Sequence, residues 1–155
     1  MSNCTIISNV SGGIYAIRGA SITNSIIRAN EPQQLYGVDC ADVSYSSLQY
    51  GTCSNINGNI SDDPLFVPGP LGDYYLSQIT AGQFVDSPCL DAGNDSATTL
   101  EVDQFSTRTD HAGDIGLVDM GYHYPRTDAL GDINYDGIVD RRDVAWIAHQ
   151  CERTR

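Results

Sequence analysis

ITNSIIRAN at residues 22–30 and VSYSSLQYG at residues 43–51 superpose at an offset of 21 residues, so that Ile27 falls on Leu48. NCTI, at residues 3–6, precedes the first segment by the same offset, and the β-rich segment therefore occurs three times. Turn-rich sequence such as SGG and NEPQQ separates the copies, and no helical period lies between them. A strand that recurs at this wide spacing predicts a solenoid whose successive coils stack in parallel.

Further segments extend this pattern along the chain. Seven segments carry this pattern: NCTI, GGIYAI, ITNSIIRAN, VSYSSLQ, GNISDDPLFV, GDYYLS and DSPCLDAGN. Together they resemble the pectate-lyase-like right-handed parallel β-helix family of secreted and surface proteins of bacteria. The resemblance covers about residues 3–95 and implies a mainly β fold, a right-handed parallel β-helix over residues 1–124. GLVDMGYHY, residues 116–124, is predicted as a final alternating strand that covers the end of the core. Such coils occur in lyases, hydrolases and adhesins, so the resemblance implies a fold and no single activity.

The composition limits the partners of the chain. The 155 residues carry 20 acidic side chains, 8 Arg and no Lys, a formal net charge of -12. This charge disfavours binding to nucleic acid or to an anionic membrane, and no apolar run reaches the roughly 18 residues that a membrane span needs. The first ten residues resemble the middle of a repeat and lack the features of a signal peptide. We therefore expect a secreted or cell-surface protein whose export signal precedes Met1, with an uncapped first coil that associates end to end.

The five cysteines show no paired C-x-x-C spacing, which argues against a zinc site. The odd number leaves at least one thiol unpaired within a monomer. The alternatives are buried free thiols throughout or one disulfide, and the spacing does not decide between them.

GDINYDGIVDRRD, residues 131–143, places oxygen-bearing side chains at alternating positions around Gly137. Calcium takes six to eight oxygen ligands, and alternating ligands converge on one ion where the chain turns sharply at a glycine. The alternative is an Asp-Gly turn followed by a helix that Asp140 caps. We predict a Ca²⁺ site with the ligands Asp132, Asn134, Asp136, the carbonyl of Ile138, Asp140 and Asp143. The ion is expected to order the terminal segment, because the empty loop is self-repelling.

The longer segment GDINYDGIVDRRDVAWIAHQ resembles one calcium-binding repeat of a dockerin, the module that docks secreted enzymes onto cohesins. The resemblance implies a cohesin-like partner that contacts Arg141 and Arg142, whose alternative role is as solvated residues at the start of a helix. A dockerin has two such repeats and this sequence has one. A short C-terminal helix is predicted from the apolar positions Val144, Ile147, Ala148 and Cys151. The predicted organisation is therefore a β-helix over 1–124, a linker over 125–130 and a half-dockerin repeat over 131–155.

These features favour a non-catalytic C-terminal region of a secreted or cell-surface β-helix protein that binds calcium, and no catalytic residue is assigned. The alternative is a fragment of a polysaccharide lyase or glycoside hydrolase whose active site lies mostly upstream, with a polysaccharide as partner. In that case the best candidates are Arg108, Asp110 and His111 in STRTDHAGD, although an Arg–Asp surface pair in a turn explains the first two equally well. A structural stalk or adhesin is a third alternative.

Overall fold

The computed structural model of this chain describes residues 1–16, 19–51 and 53–126. The chain divides into two compact units, Met1–Tyr124 and Pro125–Arg155. The described residues form short strands and two single-turn 3₁₀ helices, Cys40–Asp42 and Ile79–Ala81, and they contain no α-helix. The strands are β1 (Thr5–Ile7), β2 (Ile14–Tyr15), β3 (Ile22–Thr23), β4 (Ile26–Arg28), β5 (Leu35–Tyr36), β6 (Val43–Ser44), β7 (Ser47–Leu48), β8 (Phe66–Gly69), β9 (Gly72–Leu76), β10 (Phe105–Ser106) and β11 (Tyr124–Pro125).

The first seven strands pair in parallel at the 21-residue offset that the sequence predicts. In the three-stranded sheet β1-β4-β7, Ile27 pairs with Ile6 on one side and with Leu48 on the other. β3 pairs with β6 and β2 pairs with β5, again in parallel. The predicted register of this part of the chain is therefore confirmed.

Two apolar clusters form the core, and they meet at β4. Ile27, together with Ile22, Val43 and Leu48, belongs to a cluster on one side of the strand. Ile26, its neighbour in sequence, packs against Leu76, Cys89 and Met120 on the other side. Neighbouring residues of a strand point to opposite faces, so β4 contributes to both clusters.

The predicted right-handed β-helix is wrong, and so is the family resemblance on which it rested. Instead of a closed solenoid, the described strands form five small separate sheets of two or three strands. Residues in the left-handed conformation interrupt each repeat: Asn24 (φ 49°) separates β3 from β4, and Tyr45 (φ 47°) separates β6 from β7. Extended backbone cannot continue through such a residue, so the strands stay short.

The 21-residue parallel pairing does not continue beyond the sequence repeat. Ser47 forms a parallel bridge with Ile60, and the next two strands, β8 and β9, form an antiparallel hairpin. Pro68 and Pro70 flank the glycine at the end of β8, and proline cannot donate a ladder hydrogen bond. The predicted closing strand over 116–124 is also wrong, because the only strand there, β11, begins at Tyr124. Both faces of that segment are buried from 118 to 121, so it shows no alternation.

Among the described residues, the structure shows which cysteines are paired and which are free thiols. Cys40 and Cys53 form a disulfide, with a sequence separation of 13 residues. Cys4 is a half-buried free thiol and Cys89 is a fully buried one. Of the two alternatives that the sequence left open, the one with a disulfide is confirmed. Cys151 and the predicted linker over 125–130, except its first two residues, lie outside the described residues, as does the predicted C-terminal helix.

Candidate functional site

The six predicted calcium ligands, Asp132 to Asp143, and the predicted partner contacts Arg141 and Arg142 all lie outside the described residues. In the part of the chain that the structure describes, no group of three or more His, Cys, Asp or Glu side chains could hold a metal ion. No dockerin repeat is present there either. The identification of the chain as a dockerin-containing protein, which rested on residues 131–150, therefore has no support in the described residues, and the calcium ligands stay a prediction.

Arg108 and Asp110 form a two-point ion pair in the turn that follows β10. The Arg108 Nε and Nη2 atoms donate to the two carboxylate oxygens of Asp110, at 2.9 and 2.6 Å. The hydrogen bond with Asp110 raises the pKa of Arg108, and the same bond lowers the pKa of Asp110. His111 lies in the same turn, where its backbone N–H donates to the Arg108 carbonyl at 3.3 Å. The sequence candidates are thus neighbours, and the first two are a partly exposed ion pair.

A polar cavity of about 240 Å³ lies beside this turn. Arg108 lines it, whereas Asp110 and His111 do not. Its charged lining is otherwise acidic, with Asp86 and Asp91 exposed and Asp114 and Asp119 buried. This cavity is the strongest candidate for a polar site among the described residues, because two buried carboxylates reach it.

Asp119 occupies the centre of a hydrogen-bond network at the cavity. One carboxylate oxygen accepts the Thr107 hydroxyl, and the other accepts the backbone N–H of Asp91 at 2.8 Å. Thr107 directly follows β10, and Gln78 donates to its hydroxyl oxygen at 3.1 Å. Burial first, and then the negative charge of Asp114, raise the pKa of the Asp119 carboxyl to about 6. Asp119 therefore changes its charge close to neutral pH.

Asp114 and His123 form a second buried pair next to Asp119. The His123 Nε2 atom lies 2.8 Å from Asp114 Oδ2, and both side chains are 3% exposed. The other ring nitrogen, Nδ1, lies 3.1 Å from the Gly121 carbonyl oxygen. A neutral imidazole has one N–H, so both contacts are hydrogen bonds only when the ring or the carboxyl carries an additional proton. The backbone N–H of Asp119 also donates to Asp114 Oδ2, at 2.9 Å, which joins the two pairs.

β10 and β11 explain why these side chains meet. The two strands pair with each other, and Thr107 follows β10 while His123 precedes β11. Asp114 and Asp119 lie in the segment that connects the two strands. Thr107, Asp114, Asp119 and His123 were not predicted from the sequence. A signal was present, because GLVDMGYH places an Asp and a His among apolar residues, and ionisable residues are rarely buried unless they are paired.

The described residues contain no helix with the length and hydropathy of a membrane span. No protein-family model matches the chain, and no significant match was found among curated proteins or solved structures.

Proposed function

We propose that this chain is a non-catalytic region of a secreted or cell-surface protein. The observation that carries the proposal is the internal pairing of Arg108, Asp114 and Asp119, three of the five charged residues that line the polar cavity. Asp119 is held by Thr107, Asp114 by His123, and Arg108 by Asp110. Each of these groups is held in place by a partner from this chain, which suits it to stabilising the fold.

The Cys40–Cys53 disulfide supports the location outside the cell. Disulfides persist in oxidising compartments and are rare in the reducing cytosol. The formal charge of -12 also keeps a protein of this kind soluble and away from anionic surfaces.

The second element of the proposal is that the chain binds one Ca²⁺ ion through residues 132–143. Support comes from the sequence spacing of Asp132, Asn134, Asp136, Asp140 and Asp143, whose side-chain oxygens alternate around Gly137. The cohesin-like partner of Arg141 and Arg142 and the end-to-end self-association stay predictions.

Terbium luminescence tests the calcium proposal directly. Tyr135 lies within the proposed loop and Trp146 follows it closely, so either can transfer energy to a bound Tb³⁺ ion. We expect terbium emission that Ca²⁺ displaces in the native chain. Asp132→Ala and Asp143→Ala should weaken binding by about tenfold or more, which corresponds to about 1.4 kcal/mol. Asp73→Ala, which removes an exposed carboxylate in β9, is the matched control and should bind normally. The absence of calcium-displaceable emission would contradict the proposal.

A second candidate function is polysaccharide cleavage, and one observation favours it. A buried carboxyl with a pKa of about 6, such as Asp119 at the cavity, is suited to donating a proton as a general acid. The test is an assay of the native chain and Asp119→Asn against neutral and uronate polysaccharides. Turnover that Asp119→Asn abolishes and Asp110→Asn preserves would establish the enzyme; no turnover is the result that the non-catalytic proposal requires.

A further inference from the structure

A buried glutamine–threonine pair lies next to Asp119 at the polar cavity. Gln78 Nε2 donates to Thr107 Oγ1 at 3.1 Å, and the two residues are 6% and 1% exposed. The backbone N–H of Leu76 donates to the Thr107 carbonyl at 2.9 Å, and this bond holds the two chain segments together. The amide and the hydroxyl are thus brought side by side from positions 29 residues apart.

Asp119 supplies a base to this pair. The Thr107 hydroxyl donates to Asp119 Oδ2, and Asp119 is itself buried. Its second oxygen, Oδ1, accepts the backbone N–H of Asp91, which fixes the orientation of the carboxylate. With a pKa of about 6, Asp119 is largely ionised at neutral pH and yet more basic than an ordinary carboxylate. A hydroxyl that is hydrogen-bonded to a positioned base is an activated nucleophile.

A second glutamine–threonine pair joins the same two segments and differs from the first. Gln83 Nε2 donates to Thr109 Oγ1 at 2.9 Å, but Thr109 is only half-buried. Within the residues that the structure describes, no carboxylate accepts the Thr109 hydroxyl. Burial and the bonded carboxylate therefore distinguish the Gln78–Thr107 pair.

We propose that Gln78 and Thr107 form an intramolecular ester cross-link. Thr107 Oγ1 attacks the side-chain amide carbon of Gln78 while Asp119 takes the hydroxyl proton. The new bond joins Oγ1 to Cδ, the Cδ–Nε2 bond breaks, and Asp119 gives the proton to the departing nitrogen, which leaves as ammonia. The reaction needs no oxidant, metal or second substrate, and Asp119 ends as it began.

The surroundings suit this reaction. Thr107 Oγ1 contacts the amide nitrogen of Gln78, and rotation about the last side-chain torsion, which is broad for glutamine, turns the face of the amide carbon towards it. Arg108 lines the same cavity as Gln78, and its positive charge favours the negative charge that develops on the amide oxygen. The cavity of about 240 Å³ also gives ammonia room to leave.

The cross-link joins the segment after β9 to the segment after β10, whereas the Cys40–Cys53 disulfide lies within the repeated part of the chain. Each chain reacts once, with itself, so the proposal does not require turnover of any external substrate. The structure holds the unreacted state, because the Thr107 hydroxyl still donates to Asp119.

Mass spectrometry of the folded full chain tests the proposal. After incubation at neutral pH we expect an intact mass that is lower by one ammonia, about 17 Da. Cleavage before aspartate releases residues 73–85, which contain Gln78, and residues 103–109, which contain Thr107. These peptides should appear as one linked species that hydroxylamine, which cleaves esters, separates. An asparagine succinimide has the same intact mass but links no peptides, so the linked species decides. If the folded native chain never yields it, the proposal is wrong.

Variants assign the reaction to these atoms. Thr107→Ala should abolish the linked species, whereas Thr107→Ser keeps a hydroxyl and should retain it. Asp119→Asn removes the base and should slow linking by about 100-fold or more. Thr109→Ala is the matched control, because it removes the hydroxyl of the second pair and should leave linking unchanged.

Circular dichroism shows whether each variant is folded, and the native chain alone is enough to refute the proposal if a variant is not. Linking that survives Thr107→Ala, that requires Thr109, or that a folded Asp119→Asn variant carries out at the native rate would also overturn it.

Discussion

Asn24, which is buried, and Asn94, which is 70 residues further along the chain, share two hydrogen bonds. Asn24 Nδ2 donates to Asn94 Oδ1 at 2.8 Å, and the Asn94 backbone N–H donates to Asn24 Oδ1 at 3.0 Å. The Gly121 backbone N–H also donates to the Asn24 carbonyl, at 2.8 Å. Asn24 is 1% exposed, so this one residue joins the repeated strands to two segments that carry no repeat.

Asn24→Ala should lower the free energy of unfolding by about 2–4 kcal/mol, as measured by urea denaturation. The substitution removes both hydrogen bonds between the buried Asn24 side chain and Asn94, and it places alanine at a positive φ of 49°. Asn55→Ala is the matched control, because Asn55 also has a positive φ (63°) but is exposed, and its Nδ2 atom lies 3.5 Å from the Ser61 hydroxyl, at the limit of a hydrogen bond. Equal losses in the two variants would show that backbone conformation, and not the buried hydrogen bonds, accounts for the effect.

Ile27→Ala should lower the free energy of unfolding by about 2–5 kcal/mol. Ile27 is fully buried in the middle strand of the three-stranded sheet, between Ile6 and Leu48, so truncation leaves a cavity that three strands surround. Ile56→Ala removes the same atoms at a position that is 43% exposed and should cost much less. Similar denaturation midpoints for the two variants would contradict the described core.

Asp119→Asn should become more stable, relative to the native chain, as the pH rises. The folded pKa of about 6 lies above the unfolded value, so the proton on Asp119 stabilises the fold. That contribution is complete below about pH 3.9 and is lost as the pH rises through about 6, a change of about 3 kcal/mol. The asparagine variant stays neutral throughout. Chemical denaturation at several values between pH 4 and 8 measures the difference, and parallel pH profiles would refute it.

Asp110→Asn is a control for which we expect the opposite pH dependence of stability. The hydrogen bond from Arg108 lowers the pKa of Asp110, so its charged form stabilises the fold above the unfolded pKa, and this contribution is lost as the pH falls. The variant should therefore lose stability relative to the native chain as the pH rises from the acid range, the reverse of Asp119→Asn.

Reduction of the Cys40–Cys53 disulfide should lower the free energy of unfolding by about 3 kcal/mol, through the entropy of the loop that it closes in the unfolded chain.

Cys89 should resist alkylation in the native protein, because its thiol is fully buried and burial raises its pKa to about 12. Peptide mapping after iodoacetamide treatment measures the labelling, with half-buried Cys4 as the internal comparison. Labelling of Cys89 as fast as Cys4 would contradict its position in the core.

Part of the fold could be predicted from the sequence because it depends only on comparing each repeat with the next one along the chain. The offset that places Ile27 on Leu48 is visible in the spacing of apolar residues, and parallel pairing converts that spacing into register. The mistake was to extend the pattern to residue 124. Beyond Ile60 the chain has turns and prolines without a period, and the left-handed residues within each repeat, such as Asn24, already limit the length of the strands.

The candidate sites were predictable to different degrees for a related reason. Arg108 and Asp110 are two residues apart, so their pairing in a turn followed from proximity along the chain. The Thr107–Asp119 contact depends on how β10 and β11 pair, and no local pattern encodes that pairing.

By itself, the sequence determined the mainly β character of residues 1–60, the 21-residue register and the strong negative charge. Only the tertiary structure decided that Cys40 pairs with Cys53, that Asn24 meets Asn94, and that Asp119 is buried among other ionisable groups. The physical reason is the range of the interactions. A strand ladder repeats one local spacing, whereas contacts between distant, non-periodic segments depend on the whole path of the chain and on the burial that this path creates.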